Sequence, residues 1–355
     1  MLLIMNNLKK PLSVLLLIFI AIVAFVGSRI FGSNTNFSES KKYFYIKTGS
    51  DFNQVIRELE QQKICKDPGT FKFVAKQIKY DANVKAGRYL IEKGSSIYGI
   101  AKILKSGRQT AVNLVINKLR TKEDLAQKIA ANFECDSVAV MNVLNNNDSL
   151  LKMGLDTNTA MTAVIPNTYS IYWNTSPMRI FKKLDAEQEK FWTDERKKKA
   201  QALNLSPRQV YTLASIVEEE SNNAEDRGKI ASVYLNRMAI GMTLSADPTV
   251  IFALKDFSIK RVYRKYTEFA SPYNTYLNAG LPPGPICTPS IKTIDAVLNA
   301  PATSYLYFVA QPNLTGYSNF ASNYKEHMVF ARQYQQWLTE YLKAKNSQLI
   351  DTGKK

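Results

Sequence analysis

Read from its N-terminus, the chain opens on an unbroken apolar run and then changes character. Pro11 to Gly27, PLSVLLLIFIAIVAFVG, carries no charge; Lys9 and Lys10 precede it and Arg29 follows. With its flanks the run reaches the length of a bilayer-spanning helix, so a transmembrane segment is expected over 11–31. Ser33 to Lys42, SNTNFSESKK, is polar and reads as a linker over 32–42. Beyond it, alternating apolar positions predict strands at Tyr43 to Thr48, Gly87 to Ile91 and Ala111 to Ile116. Helical spacing separates them. Phe52, Val55, Ile56 and Leu59 follow a Ser50 cap, a second helix runs from Thr70 to Tyr80, and Ile97, Ile100, Ile103 and Leu104 follow Ser95 or Ser96. Thr121 to Leu155 is helical and polar, with a helix from Lys122 to Phe133 and a break at Asn145 to Asp148.

In the C-terminal half, Ile165 to Tyr169 reads as a turn leading into Ile171, Tyr172 and Trp173. Ser176-Pro177 and Ser206-Pro207 each open a helix, with an oxygen to cap it and a proline whose missing N–H costs nothing at the first position. In the second of these, Val210, Leu213, Ile216 and Val217 form one buried stripe. Glu220 returns to within about 20° of Leu213, while Glu218 and Glu219 point about 140° and 240° away. Two glutamates are therefore expected in water and the third on the apolar side at the helix end. A carboxyl short of hydration there holds its proton to higher pH and can donate it near neutrality. A structural ion pair is the plainer alternative.

Asn222 and Asn223 break the chain, and a helix from Ala224 with Ile230, Val233, Tyr234 and Met238 on one side ends at Gly241. The run Lys197 to Lys199 reads as a solvated face. Asp247-Pro248-Thr249 opens a short apolar segment, and Tyr273-Asn274-Thr275-Tyr276 precedes a loop with four prolines between Pro282 and Pro289. Prolines stiffen such a loop against entropy loss on binding. Tyr305 to Ala310, YLYFVA, is expected as a buried strand.

Composition narrows the chemistry. At 355 residues, with 45% apolar and 22% charged positions, the chain is a folded protein of two or three domains. A net charge of +17 calls for an anionic partner, whether nucleic acid, anionic lipid or an acidic polymer. The lysine pair ahead of the apolar run keeps the short N-terminus in the cytoplasm and places the rest outside. A cleaved signal peptide is the competing reading, and it also exports the chain. Export argues against nucleic acid as partner. Cys65, Cys135 and Cys287 are widely spaced without a CxxC, which excludes a disulfide framework and a cysteine zinc site but leaves one bridge open. His327 is the only histidine, so HExxH chemistry is excluded; a serine triad would need it, and no GxSxG accompanies it. Acid–base work falls to carboxylates, and neither metal nor cofactor is expected. Rigid loops bearing Tyr, Asn and Thr beside a partly buried carboxyl suit a sugar polymer.

From Leu213 to Ala310 the segments LASIVEEES, IASVYLNRM, DPTVIF, YNTY, GLPPGPI and YLYFVA occur in one order. In these the chain resembles the membrane-anchored endolytic murein transglycosylases, also called YceG-like or MltG proteins. The resemblance covers nearly the whole chain. It implies a catalytic glutamate at Glu220, directly before Ser221, and substrate-binding or cleft-shaping positions at Ser221, Asn236, Asp247, Thr249, Tyr273, Asn274 and Thr275. It implies non-hydrolytic cleavage of the MurNAc-β-1,4-GlcNAc bond of nascent glycan strands, leaving 1,6-anhydroMurNAc ends and ending strand elongation. Peptidoglycan strands, the membrane it is anchored in and peptidoglycan synthases are the implied partners. A hydrolytic muramidase and a non-catalytic peptidoglycan-binding scaffold are the alternatives. The chain departs from the family pattern at Ser245, where Gln is common, at Ser290, where Gly is common, and at Ser318, where His is usual. The His327 position matches a family histidine, and a satisfied helix histidine is the reading favoured for it.

The expected fold class is α+β. A cytoplasmic N-terminus (1–10), a transmembrane anchor (11–31) and a linker (32–42) lead to a small α+β module (43–118), which the resemblance implies is LysM-like. A helical connecting region (119–160), an α+β catalytic domain (161–345) and a polar tail (346–355) complete it.

Overall fold

A computed structural model describes residues 2–352, with side chains described from Ser13 to Ala344. The backbone divides into two units. Unit 1 takes residues 1–114 with the short returns 131–135 and 170–176; unit 2 takes 115–130, 136–169 and 177–355. The stretch expected as a connector is thus mostly part of unit 2, interrupted by one return to unit 1. The class is mixed α+β.

Unit 1 begins with helix α1 (Leu2–Phe31), whose stretch Ser13–Phe31 is long and apolar enough to cross a membrane. Lys9 and Lys10 lie outside the residues with described side chains. Leu15, Phe19 and Phe25 stand mostly exposed. The last turn behaves differently: Ile30 packs on the unit's core, the Phe31 ring lies 5.5 Å from Tyr98, and Arg29 pairs with Asp67. The expected linker is not free. Asn34 and Thr35 are buried, Ser33 bridges to Ser96 and Thr35 to Cys65, and Asn34 Oδ1 accepts from the N–H groups of Lys66 and Asp67. Buried amides and hydroxyls must find partners, and here short polar residues supply them.

Strand β1 (Lys41–Ile46) is followed by helices α2 (Phe52–Gln61) and α3 (Pro68–Gln77), strand β2 (Gly87–Glu92), helix α4 (Ile97–Ser106) and strand β3 (Val112–Ile116). β1 and β2 pair antiparallel, with Phe44 opposite Tyr89. Phe44, Val55, Leu59, Phe71, Tyr89, Ile97 and Leu104 close the core. Asp51, not Ser50, caps α2: its side chain accepts from the Gln54 N–H while Gln54 returns a bond to the Asp51 N–H. Asp67 caps α3, which starts at Pro68, two residues before the expected Thr70. Ser96 caps α4.

Unit 2 continues with α5 (Lys122–Ala130), α6 (Ser137–Leu144), α7 (Asn147–Leu151) and β4 (Asn167–Ile171), which replaces the expected turn. Then come α8 (Pro177–Phe191), α9 (Asp194–Ala202), α10 (Pro207–Glu220), α11 (Ala224–Ala239), α12 (Asp247–Leu254), α13 (Arg264–Thr267) and α14 (Ile291–Leu298). Strands β5 (Tyr307–Ala310) and β6 (Ser318–Ala321) pair antiparallel, and α15 (Tyr324–Thr352) closes the chain. β5 is a half-exposed strand, not the buried one expected, because it belongs to a two-stranded ribbon with α15 packed against it. The expected polar tail is helical to Thr352; 353–355 lie outside the described residues. No disulfide joins Cys65, Cys135 and Cys287, all of them described residues.

Candidate active site

The site is built on α10. Ser206 caps it through a reciprocal pair: its hydroxyl accepts from the Gln209 N–H at 3.3 Å and Gln209 Oε1 accepts from the Ser206 N–H at 2.8 Å. Pro207 opens the first turn. The helix is not amphipathic in the expected sense. Every residue from Val210 to Val217 is buried, so the rod runs through the core of unit 2 and packs against α9, α11, α12 and α14. The buried Ser215 hydroxyl is satisfied: it donates to the Thr212 carbonyl and accepts from the Ile286 N–H.

At its C-terminus the three glutamates meet three different environments, and the expectation that two of them face water is overturned. Glu218 accepts from the Ser290 N–H (3.2 Å), the Ser290 and Thr293 hydroxyls and Arg227 (3.5 Å). Glu219 is paired with Lys118 (2.6 Å) and Arg120 (3.3 Å). Their side chains are 12% and 15% exposed, which marks both as anchors of the helix end. Glu220, half-buried, is paired with no cation among the described residues; its Oε1 accepts from the Tyr234 hydroxyl at 2.6 Å.

Burial lifts the Glu220 pKa from the ordinary 4.5 to about 7. The Tyr234 hydrogen bond opposes that rise, the Asp247 charge adds to it, Arg237 opposes it, and Glu219 adds a little more. Desolvation wins, leaving a carboxyl that is substantially protonated at neutral pH.

Tyr234 and Arg237 lie one turn apart on α11 and face the same carboxyl. Tyr234 is buried, edge-on to Phe308 at 6.0 Å. Arg237 is fixed by the Leu306 and Leu244 carbonyls (2.7 and 2.6 Å) and lies 5.3 Å from the Tyr307 ring. Asp247, at the start of α12, accepts from the Tyr276 hydroxyl at 2.6 Å. Sequence pattern placed Tyr234 on an apolar stripe and gave Arg237 and Tyr276 no role of their own. The i, i+3 spacing of Tyr234 and Arg237 was the available signal.

The remaining candidate residues are committed to structure. The Asn236 amide donates to the Thr303 and Tyr305 carbonyls, both at 2.9 Å. Thr249 and Thr275 share a hydroxyl contact at 2.8 Å, and Asn274 donates to the Thr267 and Phe269 carbonyls. These last three are essentially inaccessible, at 0–1% exposure. Tyr273 packs on Phe252 at 4.9 Å, and burial pushes its pKa up to about 12. Ser221 ends α10, its hydroxyl accepting from the Asn223 N–H.

Of the departing positions, Ser245 has left-handed backbone (φ 49°) and contacts Thr243, Ser290 joins the Glu218 cluster, and the Ser318 N–H donates to Asp226. His327 stacks on Tyr307 at 5.1 Å with Nδ1 buried and unpartnered, so it is packed but not satisfied by hydrogen bonds.

The family model for the YceG-like family matches residues 44–333. A Bacillus subtilis protein named endolytic murein transglycosylase is 28% identical over 297 residues, 79% of this chain and 81% of that protein. Streptococcus pneumoniae proteins of the same name are 27% identical over 331 residues, 82% of this chain but 58% of their own length. The crystal structure of a putative yceG-like protein from Listeria monocytogenes is similar with a TM-score of 0.55 at 28% identity, covering 82% of this chain and 98% of that one. A family model spanning most of the chain, together with a solved relative of the same fold, places this chain in the YceG-like family.

Proposed function

We propose that this chain is an endolytic peptidoglycan lytic transglycosylase, with Glu220 as its single acid–base residue. The relatives' names support the activity, and the observation that carries the residue is a half-buried carboxyl with a pKa near 7 and no cation among the described residues paired to it. Glu220 protonates the glycosidic oxygen through Oε2, since the Tyr234 hydroxyl occupies Oε1. As carboxylate it then removes the proton from the muramoyl 6-hydroxyl, which closes on the anomeric carbon in place of water. The attack is intramolecular, so proximity replaces the second carboxylate that ordinary glycosidases use to activate water or to attack. Asp247, held by Tyr276, adds negative charge that offsets the oxocarbenium-like centre. Thr249, Asn274 and Thr275 hold the cleft floor, and Asn236 its edge.

In this reading α1 is a single-pass anchor with the N-terminus cytoplasmic and both units outside, unit 1 holds the LysM-like module, and unit 2 holds the catalytic domain. Synthases that extend the same strands are natural partners.

Digestion of purified sacculi with the full chain, read by mass spectrometry, tests the function. The expected products are anhydromuropeptides, and Glu220→Gln lowers their formation by about a thousandfold or more. Products heavier by one water would make the chain a muramidase, and full activity in the variant would remove Glu220 from the mechanism.

A further inference from the structure

We propose that a pocket beside Glu219 receives the peptide branch of the glycan, an acidic peptide, making peptide-bearing strands the preferred substrate. The inference rests on the glycan-cutting function above and adds a specificity site to it. The pocket, of about 160 Å³, is lined by Glu219 and Pro248, the immediate chain neighbours of Glu220 and Asp247, so a group bound there sits one residue from the acid on both elements. Its floor is apolar, made by Ile251, Phe252, Phe257 and Ile286, while Arg120 and Lys260 stand on its wall. A saccharide backbone offers hydroxyls and amides, which fit such a floor poorly. A short amino-acid side chain followed by a carboxylate fits both halves.

The charges around the pocket favour an anion. Among the described residues that line it Glu219 is the one carboxylate, and it faces Lys118 and Arg120 together, with Lys260 as a third cation. The Arg120 guanidinium lies over the Phe257 ring at 4.9 Å, and its side chain remains 42% exposed. A stacked guanidinium held by one edge has further N–H groups for a carboxylate. On its other side Arg120 borders a more open hollow with Lys118, Asp124, Gln127 and Lys128. That segment is fixed in place: the Leu119 N–H donates to the Thr288 hydroxyl at 2.8 Å, and the Thr288 N–H donates back to the Leu119 carbonyl. A peptide seated in the pocket can therefore continue past Arg120 along a basic track.

The test compares kcat/KM of the full chain on peptide-bearing strands and on strands stripped of peptide by an amidase. The expected preference for the former is about tenfold or more, carried by KM and shrinking as salt rises. Lys260→Ala and Phe257→Ala should each narrow that ratio, and Lys260 is exposed, so its replacement spares the core. A muramyl dipeptide should bind the Glu220→Gln chain more tightly than the peptide-free disaccharide does, which gives a readout independent of turnover. Equal cleavage of both strands, or an unchanged ratio in the two variants, overturns the peptide site while leaving the glycan-cutting reading intact. Cleavage of neither strand overturns that reading itself.

Discussion

At the last turn of α10, what separates Glu220 from the two glutamates before it is the company each keeps. Glu218 and Glu219 are held by cations and hydroxyls, and Glu220 by one phenol. Its raised pKa has a thermodynamic consequence. Between pH 4.5 and about 7 the folded state keeps a proton that the unfolded chain has already released, so this residue costs stability as pH rises through that window. Glu220→Gln should therefore be the more stable protein above pH 7, by up to about 3 kcal/mol, the difference shrinking toward pH 4. Urea unfolding across pH checks this. On the proposed mechanism Glu220 must carry its proton, so activity should fall as pH climbs past about 7. Tyr234→Phe removes the bond that lowers this pKa; the alkaline limb of the kcat profile should move upward while kcat drops about tenfold. A purely structural tyrosine would leave the limb where it was. Helical spacing singled out Glu220 by direction alone. The ion pairs of its neighbours were not legible, because Arg120 and Ser290 are 99 and 72 positions away in the chain.

Among the elements, α10 owes its position to latches at its end. Glu218 ties that end to the start of α14 through Ser290 and Thr293 and to α11 through Arg227. Glu218→Ala leaves Arg227, whose side chain is 12% exposed, without its carboxylate and with only the Ser221 carbonyl and Thr293 hydroxyl, and should cost about 3 kcal/mol in urea unfolding. Lowered activity in that variant would follow from a shifted Glu220. Strands and helices of unit 1 were readable because their periods are local. Two caps were readable and missed: Asp51 stands three before Gln54, and Asp67 stands directly before Pro68, the arrangement recognised at Ser206-Pro207. β5 misled for a physical reason. An aromatic run shielded by a neighbouring helix carries the same letters as a run in a core, and Tyr307 is covered by His327 and Tyr324. Likewise Val210 to Val217 looked like one face because Thr212 and Ser215, both buried, read as polar positions.

For the chain as a whole, the apolar segment was the plainest feature in the sequence and its junction the least visible. The polar letters of Ser33 to Lys42 suggested slack, yet Asn34 and Thr35 spend their polar groups inside unit 1. A fragment beginning at Ser33 loses the Arg29–Asp67 pair and the packing of Ile30 and Phe31, and should be less stable than one beginning at Gly27 by about 1–2 kcal/mol in thermal unfolding. Because α1 runs without a break into its contacts with α3 and α4, the rod and the unit it carries have no swivel between them. In a bilayer, every residue added to that rod would lift unit 1 by about 1.5 Å and also turn it by about 100°. Height above the lipid and compass bearing are geared to one another, and neither can be tuned alone.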